Sequence, residues 1–194
     1  MIEEVVAAIR AGEPVIVPTD TVYGLAADAS REEPVRRLYR LKGRAGAQPT
    51  ALVAGDVDVL LEALPELRAD VVRRLLPGPF TLILPNPARR FSWLTGDRPQ
   101  TIGVRVPALS GEAAELFGRL RAVAATSANL PGERDPRTVA EVPEELRAGC
   151  GAMLDVGELP GTPSTVLDLT GSEPVVLREG AVPADEALER LRRA

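Results

Sequence analysis

The sequence contains no histidine among its 194 residues. This absence excludes Ser-His-Asp and Cys-His nucleophilic systems, histidine-ligated zinc and imidazole general bases. Any catalysis must therefore use lysine, arginine, carboxylates, hydroxyls and backbone amides. These groups suit phosphoryl and nucleotidyl transfer, which depend mainly on positioning and on charge stabilisation by cations, amides and a metal carried with the nucleotide.

Cysteine and long apolar runs are also scarce. Cys150 is the only cysteine, so the chain cannot form an internal disulfide or a cysteine-cluster metal site, which fits a reducing compartment. No apolar run reaches about 18 residues. The acidic start, Met1–Glu4, lacks the basic region and apolar stretch of a signal peptide. We therefore expect a cytoplasmic protein without a membrane-spanning segment.

Lysine occurs only once, as Lys42, because every other basic residue is arginine. A composition this biased against lysine would turn a replaceable surface cation into arginine, so the exception suggests that an ammonium is needed here. The alternative is ordinary helix-end chemistry, because a basic residue before Gly43 faces the negative end of the helix dipole. The segment Leu41-Lys42-Gly43-Arg44 on its own leaves both interpretations open.

The net charge of −5 excludes a basic coat over the whole surface, so any nucleic-acid contact must be local. Between Arg31 and Arg44, six cations stand against two acids. This segment is the best candidate for an anion-facing patch, although it would equally suit a solvated helix face. Trp93 follows two arginines, and it either stacks on a base or anchors its loop to the core.

Hydrophobic residues make up 45% of the chain, which is enough for one sizeable core. Helical and strand patterns alternate without internal repeats, low-complexity tracts or a linker. We expect a single α/β domain over residues 1–194, with about six helices flanking a twisted mixed sheet of seven or eight strands. The predicted strands are Val15–Val17, Ala51–Ala54, Phe80–Leu84, Thr101–Pro107, Val123–Ala125, Ala152–Asp155, Thr165–Leu169 and Val175–Leu177.

The helix before Lys42 has a recognisable start. Ser30 and Glu33 have the spacing of a capping box, and Pro34 lies in the first turn. An apolar face then continues to Leu41. We therefore predict that this helix begins at Ser30 and ends next to the lysine.

Hydroxyl side chains follow several predicted strands, at the strand exits where α/β sheets bind ligands. No Gly-x-x-x-x-Gly-Lys-Ser/Thr or Gly-x-Gly-x-x-Gly motif occurs, so a P-loop or a dinucleotide-binding Rossmann site is unsupported. The pattern instead indicates a site for an anion and a small polar ligand, assembled from distant segments. Its hydroxyls are those of Thr19, Thr21, Thr126, Ser127, Ser164 and Thr165, and its cations are Lys42, Arg44, Arg105 and Arg178.

Seven short motifs occur between about residue 14 and residue 180. They are Pro18-Thr19-Asp20-Thr21-Val22-Tyr23-Gly24-Leu25, Lys42-Gly43-Arg44, Pro77-Gly78-Pro79 with Thr81, Val104-Arg105-Val106-Pro107, Ser127-Ala128-Asn129, Pro163-Ser164-Thr165-Val166 and Leu177-Arg178-x-Gly180. Together, and in this order, they resemble the YrdC-like family of threonylcarbamoyl-adenylate synthases. One such motif would be a weak signal, but seven in order are highly specific.

The resemblance implies a YrdC-like fold with a positively charged concave pocket. It also implies a nucleotidyltransferase that converts L-threonine, bicarbonate and ATP into threonylcarbamoyl-adenylate and pyrophosphate. Mg²⁺ would arrive with ATP, since no dedicated carboxylate cage is visible. Separate threonylcarbamoyl-transferase proteins would then use the product to form threonylcarbamoyladenosine in tRNA. A local basic patch could provide a direct tRNA contact.

The resemblance also implies roles for individual residues. Arg44 would hold the ATP phosphates, and Lys42, deep in the same pocket, would neutralise carbamate and phosphate oxygens. Further ATP contacts would come from Gln48, Ser127, Asn129, Asp135 and Arg178. Threonine and bicarbonate contacts would come from Thr21, Gly103, Ala125 and Ser164, with Thr19 and Arg105 in supporting roles.

The chain departs from the family pattern at four positions, none of which removes a cation. Val53 stands where many relatives have a histidine on the threonine side, and Thr50 stands where leucine follows the loop proline. Pro131 and Glu179 replace a common serine and a common proline. The chain resembles the short form without an extra C-terminal domain. Two other functions remain open, namely an RNA-binding or ribosome-maturation module without catalysis and a related protein that transfers carbamoyl groups to another acceptor.

Overall fold

The computed structural model describes residues 1–43 and 48–192, which form nine strands in one sheet and seven α-helices. The strands are β1 (Val15–Val17), β2 (Gly24–Asp28), β3 (Ala51–Ala54), β4 (Phe80–Pro85), β5 (Thr101–Arg105), β6 (Ala122–Ser127), β7 (Ala152–Met153), β8 (Thr165–Asp168) and β9 (Val175–Arg178). The helices are α1 (Ile2–Ala11), α2 (Glu32–Leu41), α3 (Val57–Ala63), α4 (Ala69–Leu75), α5 (Gly111–Leu120), α6 (Glu144–Ala148) and α7 (Ala184–Arg192), with 3₁₀ helices at Ser92–Leu94 and Val139–Glu141. None of the helices in these two ranges has the length and apolar character that crossing a membrane requires.

The sheet is mixed, with the strand order β7-β1-β2-β6-β3-β5-β4-β8-β9. Strand β6 lies between β2 and β3 and is antiparallel to both. Its residue Ala125 pairs with Ala26 on one side and with Ala51 on the other. Because adjacent side chains in register point to the same face of a sheet, these three methyl groups form a row on one face, where Ala51 and Ala125 border an open space and Ala26 is covered.

The two faces of the sheet are covered to different extents. On one face, α2, α3 and α4 pack against the sheet in the larger apolar cluster, which includes Leu38, Leu60, Val72, Leu25 and Leu52. On the other face, α1 and α5 pack against the sheet in a smaller cluster, which includes Val5, Ile9, Phe117, Val53 and Val123. The part of this second face that α1 and α5 leave uncovered holds an open cavity.

The predicted α/β class, with a mixed sheet flanked by helices, is confirmed. The predicted number of strands is too low because β2, with the sequence Gly-Leu-Ala-Ala-Asp, is not among the eight strands predicted from the sequence. Glycine, alanine and aspartate have low strand propensity. Pairing with β1 and β6 on its two sides overrides that propensity.

The predicted capping box of α2 is wrong. The helix begins at Glu32, and its N-cap residue Arg31 makes no side-chain cap hydrogen bond. Ser30 Oγ instead donates a hydrogen bond of 2.6 Å to Asp28 Oδ1. The C-terminal end of α2 agrees with the interpretation of Lys42 as a helix-end residue, because Gly43 follows Lys42 with a left-handed φ of 64°.

Arginines of α2 and its N-cap residue Arg31 form ion pairs with acids of the same region, which supports the solvated helix face. Such exposed pairs contribute little to stability, but they neutralise the charge locally. Accordingly, the basic patch predicted from the sequence is largely compensated on its described part. The pairs are Arg31 with Asp28 at 2.8 Å, Arg36 with Glu32 at 2.6 Å and Arg40 with Glu33 at 2.7 Å.

Trp93 anchors its loop to the core. Its Nε1 donates a hydrogen bond of 3.0 Å to the carbonyl of Ala29, and its ring packs against the larger apolar cluster. Its own carbonyl accepts a hydrogen bond of 3.1 Å from the hydroxyl of Tyr39. These contacts favour the structural role over stacking on a base.

Candidate active site

An open cavity of about 240 Å³ lies above the uncovered part of the sheet. Its lining comes from segments that are distant in sequence, including the exits of β1, β5, β6 and β9 and the entrances of β3 and β8. Eight residues that the sequence predicts for the site line this cavity, namely Thr19, Arg105, Ala125, Thr126, Ser127, Asp135, Ser164 and Arg178. Val53, which stands in place of a histidine, lines it as well.

Arg105 is held by the segment after β1. Its Nη2 donates a hydrogen bond of 2.7 Å to Thr21 Oγ1 and is also bonded to the carboxylate of Asp20. The two charged side chains are 10% and 9% exposed. The backbone N–H of Ala108 donates to the other oxygen of the same carboxylate at 2.9 Å. The pair is therefore buried, and its geometry is fixed from both sides.

Sequence reasoning missed the role of Asp20, although this carboxylate lies inside the hydroxyl-rich segment. Burial lowers the pKa of Arg105, and the neighbouring Asp20 opposes that shift by favouring the charged guanidinium. Arg178 repels the same charge and lowers the pKa further. Two guanidinium groups are thus close enough to interact at one cavity.

The Nε atom of Arg105 is buried, and among the residues that the structure describes it has no hydrogen-bond partner. Leaving a buried donor unpaired costs about 1 to 3 kcal/mol, and more for a charged group. Since Arg105 lines the cavity, an anionic ligand there would supply the missing acceptor. The positive charge of the pocket as a whole stays a prediction.

Arg178 reaches the cavity because of an irregularity between β8 and β9. Arg178 pairs with Val166, whereas Val176 pairs with Leu167, so Leu177 is an extra residue in β9. Such a bulge re-aims the side chains beside it. Arg178 consequently lines the cavity instead of joining the core.

Ser164 directly precedes β8, the strand that lies between β4 and β9 in the sheet. Its Oγ is 2.8 Å from Thr81 Oγ1, and its carbonyl accepts a hydrogen bond of 2.8 Å from Arg178 Nη2. The same nitrogen lies 3.2 Å from Ser164 Oγ. A buried hydroxyl and an exposed guanidinium are therefore held together at one side of the cavity.

Lys42 lies behind the cavity wall. The residue is 1% exposed, and its Nζ lies 3.2 Å from Thr126 Oγ1 and 3.1 Å from Asn129 Oδ1. It also donates to the carbonyl of Ser127. Ser127 Oγ in turn donates a hydrogen bond of 2.6 Å to Asn129 Oδ1. Thr126 and Ser127 line the cavity, but Lys42 does not, so the ammonium is separated from it by one layer of residues.

The other predicted residues occupy different positions. Thr21 is fully buried, and its hydroxyl contacts Arg105 and Thr19 instead of lining the cavity. Asn129 is 9% exposed, and its Nδ2 donates a hydrogen bond of 2.7 Å to the carbonyl of Glu133. Gln48 is exposed beside the lining residue Pro49. Arg44 lies outside the described residues.

A second cavity of about 200 Å³ adjoins the first. Gly103 lines this second cavity and not the first. The two cavities share part of their lining, namely Pro49, Thr50, Ala51, Thr81 and Val166. In the part of the chain that the structure describes, no group of three or more cysteine or acidic side chains is arranged to hold a metal ion.

Comparison with known proteins gives matches over nearly the whole chain. Residues 7–180 match the family model of Sua5, YciO and YrdC proteins, described as "Telomere recombination". The threonylcarbamoyl-AMP synthase of Pyrococcus abyssi is 36% identical over 182 residues, which are 92% of this chain and 53% of that protein. The putative threonylcarbamoyl-AMP synthase of Mycobacterium tuberculosis is 34% identical over 190 residues, which are 96% of this chain and 87% of that protein.

The fold agrees with these matches. The crystal structure of P. abyssi Sua5 complexed with L-threonine superposes with a TM-score of 0.84 at 34% identity, covering 97% of this chain and 56% of that one. The chain therefore spans about half the length of the P. abyssi protein. The family model and the relatives agree with the seven motifs, and the chain belongs to the Sua5/YciO/YrdC family.

Proposed function

We propose that the protein is a threonylcarbamoyl-AMP synthase, an enzyme that converts L-threonine, bicarbonate and ATP into threonylcarbamoyl-AMP and pyrophosphate. The observation that carries this proposal is Arg105, a buried cation whose Nε lacks a partner among the described residues at a cavity that Arg178 also lines. The names of the relatives and the L-threonine complex of P. abyssi Sua5 support the choice of substrates.

The chemistry explains why cations are needed. The amine of threonine attacks the carbon of bicarbonate, and water leaves to give a carbamate. A carbamate oxygen then attacks the α-phosphorus of ATP, and the bond to the departing pyrophosphate breaks. Both reacting groups are anionic, so fixed cations in a partly buried site lower their repulsion. No step requires an imidazole.

On the threonine side, Arg105 would bind a carboxylate or carbamate oxygen through its unpaired Nε. Thr21 and Asp20 would hold that guanidinium in place. The hydroxyls of Thr19 and Ser164 line the same cavity and would bind threonine. Ala125 could contribute only backbone groups to bicarbonate or threonine, whereas Gly103, expected from the sequence to make the same kind of contact, lines only the adjoining second cavity.

On the nucleotide side, Arg178, Ser127 and Asp135 line the cavity and would contact ATP. Lys42 and Asn129 would keep Ser127 in position and add a positive charge behind it. Arg44 would hold the ATP phosphates, and Gln48 would make a further contact with ATP. Mg²⁺ would be carried by the ATP phosphates.

We further propose that the protein acts in the cytoplasm, in the first step of threonylcarbamoyladenosine formation in tRNA. A separate threonylcarbamoyl-transferase would consume the product, because a mixed anhydride of a carbamate with AMP is an activated acyl donor. Direct binding of tRNA to α2 is less well supported, since Arg36 and Arg40 are paired with Glu32 and Glu33.

The test is pyrophosphate release from ATP with each substrate omitted in turn, combined with mass spectrometry of the product. We expect release to require threonine and bicarbonate together. Other amino acids and carbamoyl phosphate, offered in place of threonine and bicarbonate, should be inactive. Turnover with them would indicate carbamoyl transfer to another acceptor.

Two results would contradict the proposal. Pyrophosphate release that needs neither threonine nor bicarbonate would exclude the reaction. Salt-sensitive RNA binding without any ATP turnover would instead favour an RNA-binding module.

A further inference from the structure

Thr50 carries a buried hydroxyl that is not satisfied by the described protein. The residue is 4% exposed, and its backbone N–H donates a hydrogen bond of 2.9 Å to the carbonyl of Leu94. Its Oγ1, however, has no hydrogen-bond partner within residues 1–43 and 48–192. An unpaired buried hydroxyl destabilises a protein by about 1 to 3 kcal/mol. Within the described residues, this hydroxyl therefore makes no stabilising contact that an apolar side chain of the same shape would lack.

The position of Thr50 indicates which kind of contact its hydroxyl can make. The residue lines both the first cavity, which Arg105 and Arg178 also line, and the adjoining second cavity. It therefore lies at the boundary between the two. A threonine hydroxyl can both donate and accept a hydrogen bond, so it suits a polar atom of a ligand that extends across this boundary.

The second cavity differs chemically from the first. Much of its lining is apolar or small, as at Ile83, Val166 and Gly103. Its cation Arg98 lies 3.7 Å from the carboxylate of Asp168, so that charge is already compensated. Anionic groups therefore match the first cavity, whereas an uncharged group matches the second.

Among the proposed substrates, only ATP has both kinds of group. Threonine is a small zwitterion whose charged groups match the arginine side, and bicarbonate is a small anion. The nucleoside of ATP is uncharged and carries hydroxyls and ring nitrogens that can form hydrogen bonds. A nucleotide with its phosphates in the first cavity and its nucleoside in the second would pass Thr50.

We propose that Thr50 is a nucleotide-binding residue whose Oγ1 forms a hydrogen bond with the nucleoside portion of ATP at the boundary between the two cavities. This inference rests on the proposed function, because it takes ATP as the ligand. It concerns a position at which this chain departs from the family pattern, since Thr50 stands where that pattern has leucine.

The test uses Thr50→Val, which removes the hydroxyl and keeps the branched shape, and Thr50→Ser, which keeps the hydroxyl. Calorimetric titration of each variant should use ATP, inorganic tripolyphosphate and L-threonine. We expect Thr50→Val to raise the Kd for ATP about 3- to 10-fold, the effect of one neutral hydrogen bond. Its Kd values for tripolyphosphate and threonine should stay at the wild-type level, and Thr50→Ser should bind ATP like the wild type.

A thermal melt of the free protein separates binding from folding. Removing an unpaired buried hydroxyl should leave the Tm of Thr50→Val unchanged or higher, whereas the ATP-dependent rise in Tm should shrink. Weaker ATP binding that merely followed damage to the fold would show a lower Tm of the free protein, and that result would overturn the inference.

Other outcomes would also overturn it. Equal ATP affinity of Thr50→Val and the wild type would mean that the hydroxyl makes no ligand contact. Equal losses for ATP and tripolyphosphate, or a loss for threonine, would assign the contact to another group. Failure of the proposed function is seen separately, because a wild-type protein that binds ATP but makes no threonylcarbamoyl-AMP would refute that function without changing the comparison of variants.

Discussion

Lys42 Nζ donates a hydrogen bond of 3.1 Å to Asn129 Oδ1, a residue 87 positions further along the chain. The same ammonium contacts Thr126 and the carbonyl of Ser127. The only lysine of the protein thus ties the end of α2 to the end of β6. A compact ammonium with several donors suits acceptors that converge on one point, whereas the planar guanidinium of arginine does not.

Replacing Lys42 by alanine should therefore reduce threonylcarbamoyl-AMP formation about 100-fold or more, which corresponds to about 3 to 4 kcal/mol of lost charge stabilisation. The variant would lose both the positive charge behind Ser127 and the support of Asn129. Steady-state pyrophosphate release measures the loss. Arg36→Gln is the matched control, because it removes a cation that is paired with Glu32 on the exposed face of the same helix. Full activity of Lys42→Ala would show that this ammonium has no role in the reaction.

The ion pair of Asp20 with Arg105 should be costly to break. Asp20→Asn would leave the buried guanidinium without its counter-charge, and removing one partner of a buried pair destabilises proteins by about 3 to 5 kcal/mol. Urea unfolding at neutral pH measures this change in the free energy of unfolding. Glu32→Gln, which breaks an exposed pair, should cost less than about 1 kcal/mol. If the two variants unfold at the same urea concentration, the buried pair is not a stabilising element.

Tyr23 holds the segment between β7 and Ser164. Its hydroxyl donates a hydrogen bond of 2.7 Å to the carbonyl of Gly157 and accepts one of 3.0 Å from the N–H of Val156. Burial raises the pKa of this hydroxyl, which remains protonated at neutral pH. Tyr23→Phe should lower the free energy of unfolding by about 1 to 3 kcal/mol, because it leaves backbone groups unpaired.

The same variant should also raise the KM for threonine, since the released segment leads into Ser164. Kinetics at varied threonine, followed beside urea unfolding, test both effects. The exposed residue Arg73 offers a control through Arg73→Gln, which should change neither quantity appreciably. A destabilised Tyr23→Phe with an unchanged KM would show that the segment does not control the position of Ser164.

Cys150 should be unreactive in the folded protein. Burial raises the pKa of its thiol to about 12. Because the thiolate is the reactive species, labelling by a disulfide reagent at pH 8 should be on the order of 1,000-fold slower than in the unfolded chain. The native rate should rise about tenfold per pH unit between pH 7 and pH 9, as the thiolate fraction does. Equal rates in the folded and urea-unfolded protein would contradict this assignment.

Much of the cavity lining is predictable from the sequence. Thr19, Ser127 and Ser164 carry hydroxyls next to strand ends, and Arg105 and Arg178 lie in short motifs close to them. Strand ends meet at the edges and uncovered faces of a sheet, so local patterns of this kind locate a site without any knowledge of distances.

How deeply each side chain is buried relative to the cavity is not predictable in the same way. Lys42 and Thr21 are buried behind the residues that line the cavity, although each belongs to a motif. Their depth depends on neighbours from distant segments, such as Asn129 and Arg105, and no local pattern encodes those contacts. For the same reason, β2 can be recognised as a strand only once its pairing with β1 and β6 is known.

At Ala51 in β3 and Ala125 in β6, the size of the side chain affects the cavity and the folded core differently, although both residues lie in the sheet. A larger side chain at Ala51 or Ala125 would extend into the cavity instead of the apolar core, because both residues line that cavity. The penalty would fall on ligand occupancy, with little strain in the folded chain. The small size of these two side chains therefore keeps the cavity open, although both residues lie in the middle of the sheet, where tolerance to substitution is normally limited by folding.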